Sequence, residues 1–219
     1  MRRLPSHRML DQAILSRTWS LEDVRRVGVL LATFYANAQP ISITTDDYLN
    51  QLKEELRSSR DELAKRKNLL SGELVESAIT SGLGFMEKHV SLLDHRIKAK
   101  KIIEGHGDLR PEHICLEDEP AIIDCLEFDR NLRILDPASE LMFLKLECDR
   151  LEGPEIGEFI FRTYCDRTGD NPPLEVLDFY RTYHAAVRSK VAIWHLRDHT
   201  VRDVRKWVRR AEEYLEMAA

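Results

Sequence analysis

Between residues 102 and 137 the chain loses the helical periodicity that governs it on either side, and this interruption limits the folds open to it. Ahead of it, Ser20 followed by Asp23 resembles a capping box with Asp in place of the usual Glu. Leu21, Val24, Val27, Leu31 and Phe34 then recur at helical spacing until about Asn37, before Pro40. Thr45-Asp46-Asp47 opens a second helix whose centre, 51–67, is dense in mixed charge. Only Leu52, Leu56 and Leu63 form an apolar stripe there, so this helix should pack along one narrow seam. A third helix is expected from about 73 to 100, weakened in its middle by Gly82 and Gly84. Beyond Pro137 helices resume at about 138–149, 155–168, 174–196 and 201–216. Inside the interruption, His113-Ile114-Cys115-Leu116 and Ala121-Ile122-Ile123-Asp124 read as two short strands joined by the acidic turn Glu117-Asp118-Glu119-Pro120. The expected fold is α+β and predominantly α-helical. It is a single domain over 1–219, helical at 1–101 and 138–219, with a loop and short β-hairpin at 102–137.

Composition supports a packed chain. With 43% hydrophobic residues it can bury a sizeable core, and general disorder is excluded. No stretch approaches eighteen apolar residues, and Met1-Arg2-Arg3-Leu4-Pro5 is not followed by the apolar run of a secretory signal. Neither a membrane span nor a signal is therefore expected. Cys115, Cys125, Cys148 and Cys165 contain no C-x-x-C pair and no zinc-like spacing, so they read as reduced, buried thiols of a cytoplasmic protein. Residues 105–180 carry seven basic and nineteen acidic side chains, a net −12 within a chain of net −5. That middle third repels a nucleic-acid backbone and suits divalent cations. The run Arg202, Arg205, Lys206, Arg209 and Arg210 is mixed with acids and reads as a solvated helix face rather than a nucleic-acid arm.

Chemistry concentrates at Gly105-His106-Gly107-Asp108-Leu109-Arg110-Pro111-Glu112-His113 and at Ile122-Ile123-Asp124. Gly107 allows a tight bend beside Asp108, and Pro111 stiffens the loop against helix formation. A hairpin returns its own ends to one place, so Asp108, His113 and Asp124 should converge, with Arg110 adding a permanent positive charge. Two carboxylates, a possible ligand and a cation at one point suit phosphoryl transfer: one Asp accepts the nucleophile's proton, the other holds a metal, and the cation offsets phosphate charge. Glu127 and Asp129 read either as further carboxylates of the site or as solvated turn acids. Trp194 and Trp207, with Tyr183, Val187 and Val191, read as core or as the lining of an acceptor pocket.

The segment resembles the H-R-D-x-x-x-x-N catalytic loop of protein kinases. It is closer to the H-G-D form of aminoglycoside phosphotransferases and related small-molecule kinases. The match runs through His106-Gly107-Asp108, the step of five to position 113, Ile122-Ile123-Asp124, and Leu135-Asp136-Pro137-Ala138-Ser139-Glu140-Leu141, which is similar to the D-P-A-x-D-L stretch of those kinases. The resemblance implies the large lobe of a protein kinase-like fold that uses ATP and Mg2+ to phosphorylate a hydroxyl of a small-molecule acceptor. It assigns Asp108 as the catalytic base, Arg110 as the cation steadying the transferred phosphoryl group, and Asp124 and position 113 as metal ligands. Cys115 and Ile123 become the floor of the nucleotide site, His106 packs behind the loop, and Asp136 holds the loop backbone. Met1-Arg2-Arg3-Leu4-Pro5 looks like the hinge where that lobe begins.

Two features depart from the family. His113 stands where the family has Asn; it could bind manganese or zinc, touch phosphate when protonated, or leave one metal site unfilled. No G-x-G-x-x-G or G-x-x-x-x-G-K-[ST] occurs, which implies that the N-terminal nucleotide-binding lobe is supplied in cis or on a partner chain. An uncovered floor at Cys115 and Ile123 would favour homo-oligomers. A kinase-like binding or regulatory domain without chemistry, and a metal-dependent hydrolase using Asp108, His113 and Asp124 as ligands, are the alternatives.

Overall fold

The computed structural model describes residues 4–197 and 203–218. The chain is predominantly helical with two small two-stranded sheets, and it divides into two compact units, each assembled from two separate stretches.

The first unit comprises residues 1–42 and 98–173. Its helices are α1 (Leu10–Ser16), α2 (Leu21–Asn37), α6 (Pro137–Arg150) and α7 (Pro154–Thr168), numbered along the whole chain with those of the second unit below. The Ser20–Asp23 pair forms a reciprocal capping box at the start of α2, as its spacing predicts. Helix α2 packs on α7, and α7 on α6. The α2–α7 crossing is close because Gly28 carries no side chain; a Cβ there would lie 2.8 Å from the Thr163 Cβ. Leu10, Val24, Val27, Leu31, Leu141, Leu144, Ile156 and Ile160 form the core between these helices.

Two antiparallel sheets sit on that core. Strand β1 (Ile103–Glu104) pairs with β4 (Ile134–Leu135), and β2 (Ile114–Cys115) pairs with β3 (Ala121–Ile122). The second pair is the hairpin expected from sequence. Each sheet is extended on a free edge by an earlier segment: Met9 bridges to Cys115, with the Leu116 N–H donating to the Arg8 carbonyl at 2.7 Å. Pro40 bridges to Ile103, with the Ile41 N–H donating to the Ile102 carbonyl at 2.8 Å. One edge of each sheet, that of β1 and that of β2, is thereby paired.

The second unit comprises residues 43–97 and 174–219. It contains α3 (Thr45–Ala64), α4 (Gly72–Lys88), α5 (Val90–Lys98), α8 (Leu174–Trp194) and α9 (Val204–Met217). The narrow seam of α3 is real: Leu52, Leu56 and Leu63 are buried, joined by Tyr48, Leu49 and Ser59. The single helix expected over 73–100 is two. It breaks at His89, which leaves helical geometry (φ −122°, ψ 31°), and not at the glycines. Gly82 is instead a contact point, since a Cβ there would meet Leu56 Cδ1 at 2.8 Å. Trp194 is 40% exposed beneath the Lys190 and Arg197 cations, and Trp207 is half-buried and stacked on His195 with ring centroids 3.7 Å apart. Arg205, Lys206, Arg209 and Arg210 line a shallow surface crease of about 500 Å³, and Arg209 pairs with Glu213 at 3.0 Å. Of the sequence expectations, the Met1–Arg3 part of the hinge and the helix start at Val201 and Arg202 lie outside the described residues.

Glu62 illustrates how this unit responds to acid. A hydrogen bond from Lys65 (2.6 Å), with a second from Arg197, outweighs its partial burial and pulls its carboxyl down to about 2. A lowered folded-state pKa adds stability above the ordinary value of 4.5, and that stability is lost as pH falls toward 2. Glu62→Gln is therefore expected to cost about 0.2–1 kcal/mol at pH 7, the range of surface ion pairs, and distinctly less near pH 2. Urea titrations at the two pH values read this directly; an equal loss at both would overturn the assignment.

No helix among the described residues is long and apolar enough to cross a membrane. The four cysteines are free thiols. Cys115 and Cys148 are buried as expected, Cys165 is partly so, and Cys125 is exposed, which corrects the expectation of four buried thiols.

Candidate functional site

The site is built on the first unit, between the loop that follows β1 and the end of the β2–β3 hairpin. Gly107 takes the left-handed conformation (φ +83°), and a Cβ there would lie 3.0 Å from the Leu132 carbonyl oxygen. Only glycine makes this turn without strain. Two residues on, Leu109 is fully buried in the core, so the backbone that carries Asp108 is anchored from below. Pro111 opens a 3-10 turn, Pro111–His113, whose last N–H donates to the Arg110 carbonyl at 2.9 Å.

Glu140 holds the loop in place from α6. It is 1% exposed, and its carboxylate accepts the Gly107 N–H at 2.6 Å, the His106 N–H at 3.2 Å and the Tyr35 hydroxyl at 2.8 Å. Burial, and then the adjacent Glu140 charge, push Tyr35 well above the ordinary tyrosine range, so it stays a donor. Gly105 makes the reach possible, since a Cβ on it would meet Glu140 Oε2 at 2.8 Å. Asp136, expected to hold the loop backbone, is fully buried and caps α6 by accepting the Ala138 N–H at 2.9 Å, and Glu140 grips the loop. Glu140 was legible only as one letter of the D-P-A-S-E-L stretch; a charged residue at an otherwise apolar helix position was the signal for it.

The expected residues do come together. Arg110 approaches Asp108 Oδ2 with both Nε (3.0 Å) and a terminal nitrogen (2.9 Å), and its other terminal nitrogen bonds Glu112 at 2.6 Å. The His113 ring, 8% exposed, lies 2.8 Å from the Asp108 carbonyl through Nδ1 and 3.1 Å from Arg110 through Nε2. Its Nε2 also stands 3.5 Å from Asp124 Oδ2. The hairpin puts Asp124 there, because the Ile123 N–H donates to the His113 carbonyl at 3.0 Å. Asp124 adopts φ +65° and its side chain is 79% exposed. His106 turns inward behind the loop: its Nδ1 accepts the Asp108 N–H at 3.3 Å and its Nε2–H donates to the Ile123 carbonyl at 2.8 Å.

Beyond Asp124 the chain is braced by Arg133, which sequence reasoning missed. It bonds the Leu126 carbonyl and Glu104, and Arg130 joins it on Glu104 at 2.8 Å. The hydrogen bond from Arg133, followed by that from Arg130, lowers the Glu104 carboxyl. Glu127 is exposed, and Asp129 caps the 3-10 turn Arg130–Arg133 by accepting the Asn131 N–H at 2.9 Å. Both behave as turn acids. Ile123, Phe128 and Leu132 are exposed apolar side chains on this segment, at 42%, 80% and 43%. Cys115, which the family resemblance makes an uncovered floor beside Ile123, is fully buried, as the reading of the cysteines as buried thiols has it, and Met9 pairs onto its strand.

The carboxylate most open to a divalent cation here is that of Asp124, whose side chain is 79% exposed with Oδ2 3.5 Å from His113 Nε2. Magnesium is held typically through one or two carboxylates together with substrate phosphates, and Asp124 fits that use. His113 does not, since its two ring nitrogens already face the Asp108 carbonyl and Arg110. Among the described residues no three His, Cys, Asp or Glu side chains form a ready cation cage.

No family model matches the chain, and no solved structure matches it. It is similar to uncharacterized proteins of Mycobacterium bovis (strain ATCC BAA-935 / AF2122/97) and Mycobacterium tuberculosis (strains CDC 1551 / Oshkosh and ATCC 25618 / H37Rv). Each is 32% identical over 168 residues, which is 75% of this chain and 34% of the relative. The chain thus spans about a third of the length of the curated relatives it matches.

Proposed function

We propose that this chain is the catalytic, large-lobe half of an ATP-dependent phosphotransferase of the aminoglycoside phosphotransferase-like type, acting on a hydroxyl of a small molecule. The observation that carries the reading is the meeting of Asp108, Arg110 and Asp124 at one rigid loop and hairpin, with Glu140 and Leu109 fixing the backbone below. In the proposed reaction Arg110 occupies Asp108 Oδ2, so Oδ1 accepts the proton of the attacking hydroxyl. The Arg110 guanidinium lies where charge builds on the transferred phosphoryl group. Asp124 projects into solvent to meet the magnesium ion of the nucleotide, which offsets phosphate charge when bound. A separate segment or partner covers the nucleotide, and exposed Ile123, Phe128 and Leu132 give it an apolar surface beside Asp124. Free thiols, one of them exposed, suit a reducing compartment, and we place the protein in the cytoplasm.

A non-catalytic nucleotide-binding domain is the second reading, favoured by the grip of Arg110 on Asp108 Oδ2, the carboxylate proposed as the base. Calorimetric titration with ATP and magnesium, with Asp124→Asn as control, tests the first reading. Binding that the control abolishes is the expected result. If binding is abolished by the control but no acceptor or water ever receives phosphate, the second reading holds. If nothing binds, in the presence or absence of the nucleotide-covering partner, both fail.

A further inference from the structure

We propose that His113 and Arg110 act as a coupled pair standing in for a second divalent cation, so that the site takes one metal ion only, on Asp124. The proposal rests on the phosphotransferase reading and specifies how that site manages charge. Arginine has five N–H donors and no acceptor. The 3.1 Å contact from its terminal nitrogen to His113 Nε2 therefore requires Nε2 to be the acceptor, which leaves the ring proton on Nδ1. That proton has its partner in place: Nδ1 lies 2.8 Å from the Asp108 carbonyl oxygen. In that arrangement Nδ1 donates to the loop backbone and Nε2 accepts from Arg110. The ring is 8% exposed, so its orientation is held by packing as well.

A histidine ligates a cation through a bare ring nitrogen at about 2.0–2.1 Å for a metal such as zinc. The bare nitrogen of His113 lies 3.1 Å from the Arg110 guanidinium and 3.5 Å from Asp124 Oδ2, so a cation on Asp124 could take this nitrogen as a ligand only in place of its bond from Arg110. Arg110 is held on three sides, by Asp108, Glu112 and His113, and is permanently charged. It therefore both blocks and repels a cation at this position. What the site retains is one positive charge fixed against Asp108 and one carboxylate, Asp124, open to a metal ion. His113 is a positioning residue: it touches neither phosphate nor metal and acts by aiming Arg110.

Two measurements on the chain test this without relying on turnover. In protein labelled with 15N-histidine, long-range proton–nitrogen correlation is expected to show His113 protonated at Nδ1 and bare at Nε2. A ring protonated at Nε2 alone would overturn the pairing and leave the phosphotransferase reading standing. With manganese and ATP, one ion per chain is expected, with at least about a tenfold loss of affinity in Asp124→Asn, taking the cost of disturbing a metal site as a lower bound. Electron spin-echo spectroscopy of that ion should show no 15N-histidine coupling in the wild type, and coupling should emerge in Arg110→Gln as the ring is released. Histidine coupling in the wild type, or two bound ions, would overturn the proposal. If no manganese binds while the Nδ1 proton is found as expected, the phosphotransferase reading and the metal half of the proposal both fall, and the Arg110–His113 pairing alone survives.

Discussion

Asp108→Asn is expected to lower phosphoryl transfer by about 10²–10⁴-fold, the usual contribution of a positioned general base, while ATP–magnesium binding stays within about twofold. The side chains are nearly isosteric, and Asp108 is anchored through its backbone, by buried Leu109 on one side and the Gly107 turn held by Glu140 on the other. The substitution should therefore leave the loop in place and remove the proton acceptor. The amide also weakens the hold on Arg110, which bonds Asp108 Oδ2 through two nitrogens. Some of the loss should accordingly fall on the charge that meets the phosphoryl group, and kcat should fall more than KM rises. The measurement is single-turnover transfer from ATP by the chain together with its nucleotide-covering half. Transfer at the wild-type rate would show that Asp108 is not the base. Loss of nucleotide binding along with transfer would show that the substitution acts on the fold of the loop.

Glu140→Ala is expected to cost about 3–5 kcal/mol, the penalty for stripping the partner from a buried polar network. Three donors converge on this carboxylate: the His106 and Gly107 amides and the Tyr35 hydroxyl. All three would be left without their acceptor at a position where Glu140 is 1% exposed. Tyr35→Phe removes one donor together with its need and should cost far less, about 0.5–1.5 kcal/mol. Glu140→Gln keeps one acceptor oxygen but turns an N–H₂ toward the donors, and should fall between the two. Denaturant midpoints for the three variants check the order. If Glu140→Ala were no worse than Tyr35→Phe, the loop would be held by its own turn chemistry and not by α6.

Both effects depend on residues that the sequence disclosed to very different degrees. Asp108, Arg110, His113 and Asp124 lie within seventeen residues of one another around one hairpin, and a short loop with Gly107, Pro111 and a hairpin leaves few ways for them to stay apart. Helix α2 was legible to its capping box, because Ser20 and Asp23 satisfy each other within one turn. Helix α1 was not read, since seven residues with Leu10, Ala13 and Ile14 as the buried set give too short a stripe to stand out. The break at His89 is not anticipated by a reading that expects one helix over 73–100, weakened only at Gly82 and Gly84, and Gly82 proves to be a packing point against Leu56.

What the sequence by itself determined was set within a few residues: the longer helices, the capping box of α2, the hairpin, and the gathering of the four polar side chains around it. Only the tertiary structure decided which acid grips the loop, whether Cys115 has any surface, and what His113 touches. Glu140 is 33 residues from Gly107 and 105 from Tyr35, and Met9 reaches Cys115 from the other end of the unit. Such contacts form only when distant segments close onto a common core, and a local pattern carries no record of which segment arrives. The same holds for the direction of His113 Nε2, which is settled by where the Arg110 side chain comes to rest.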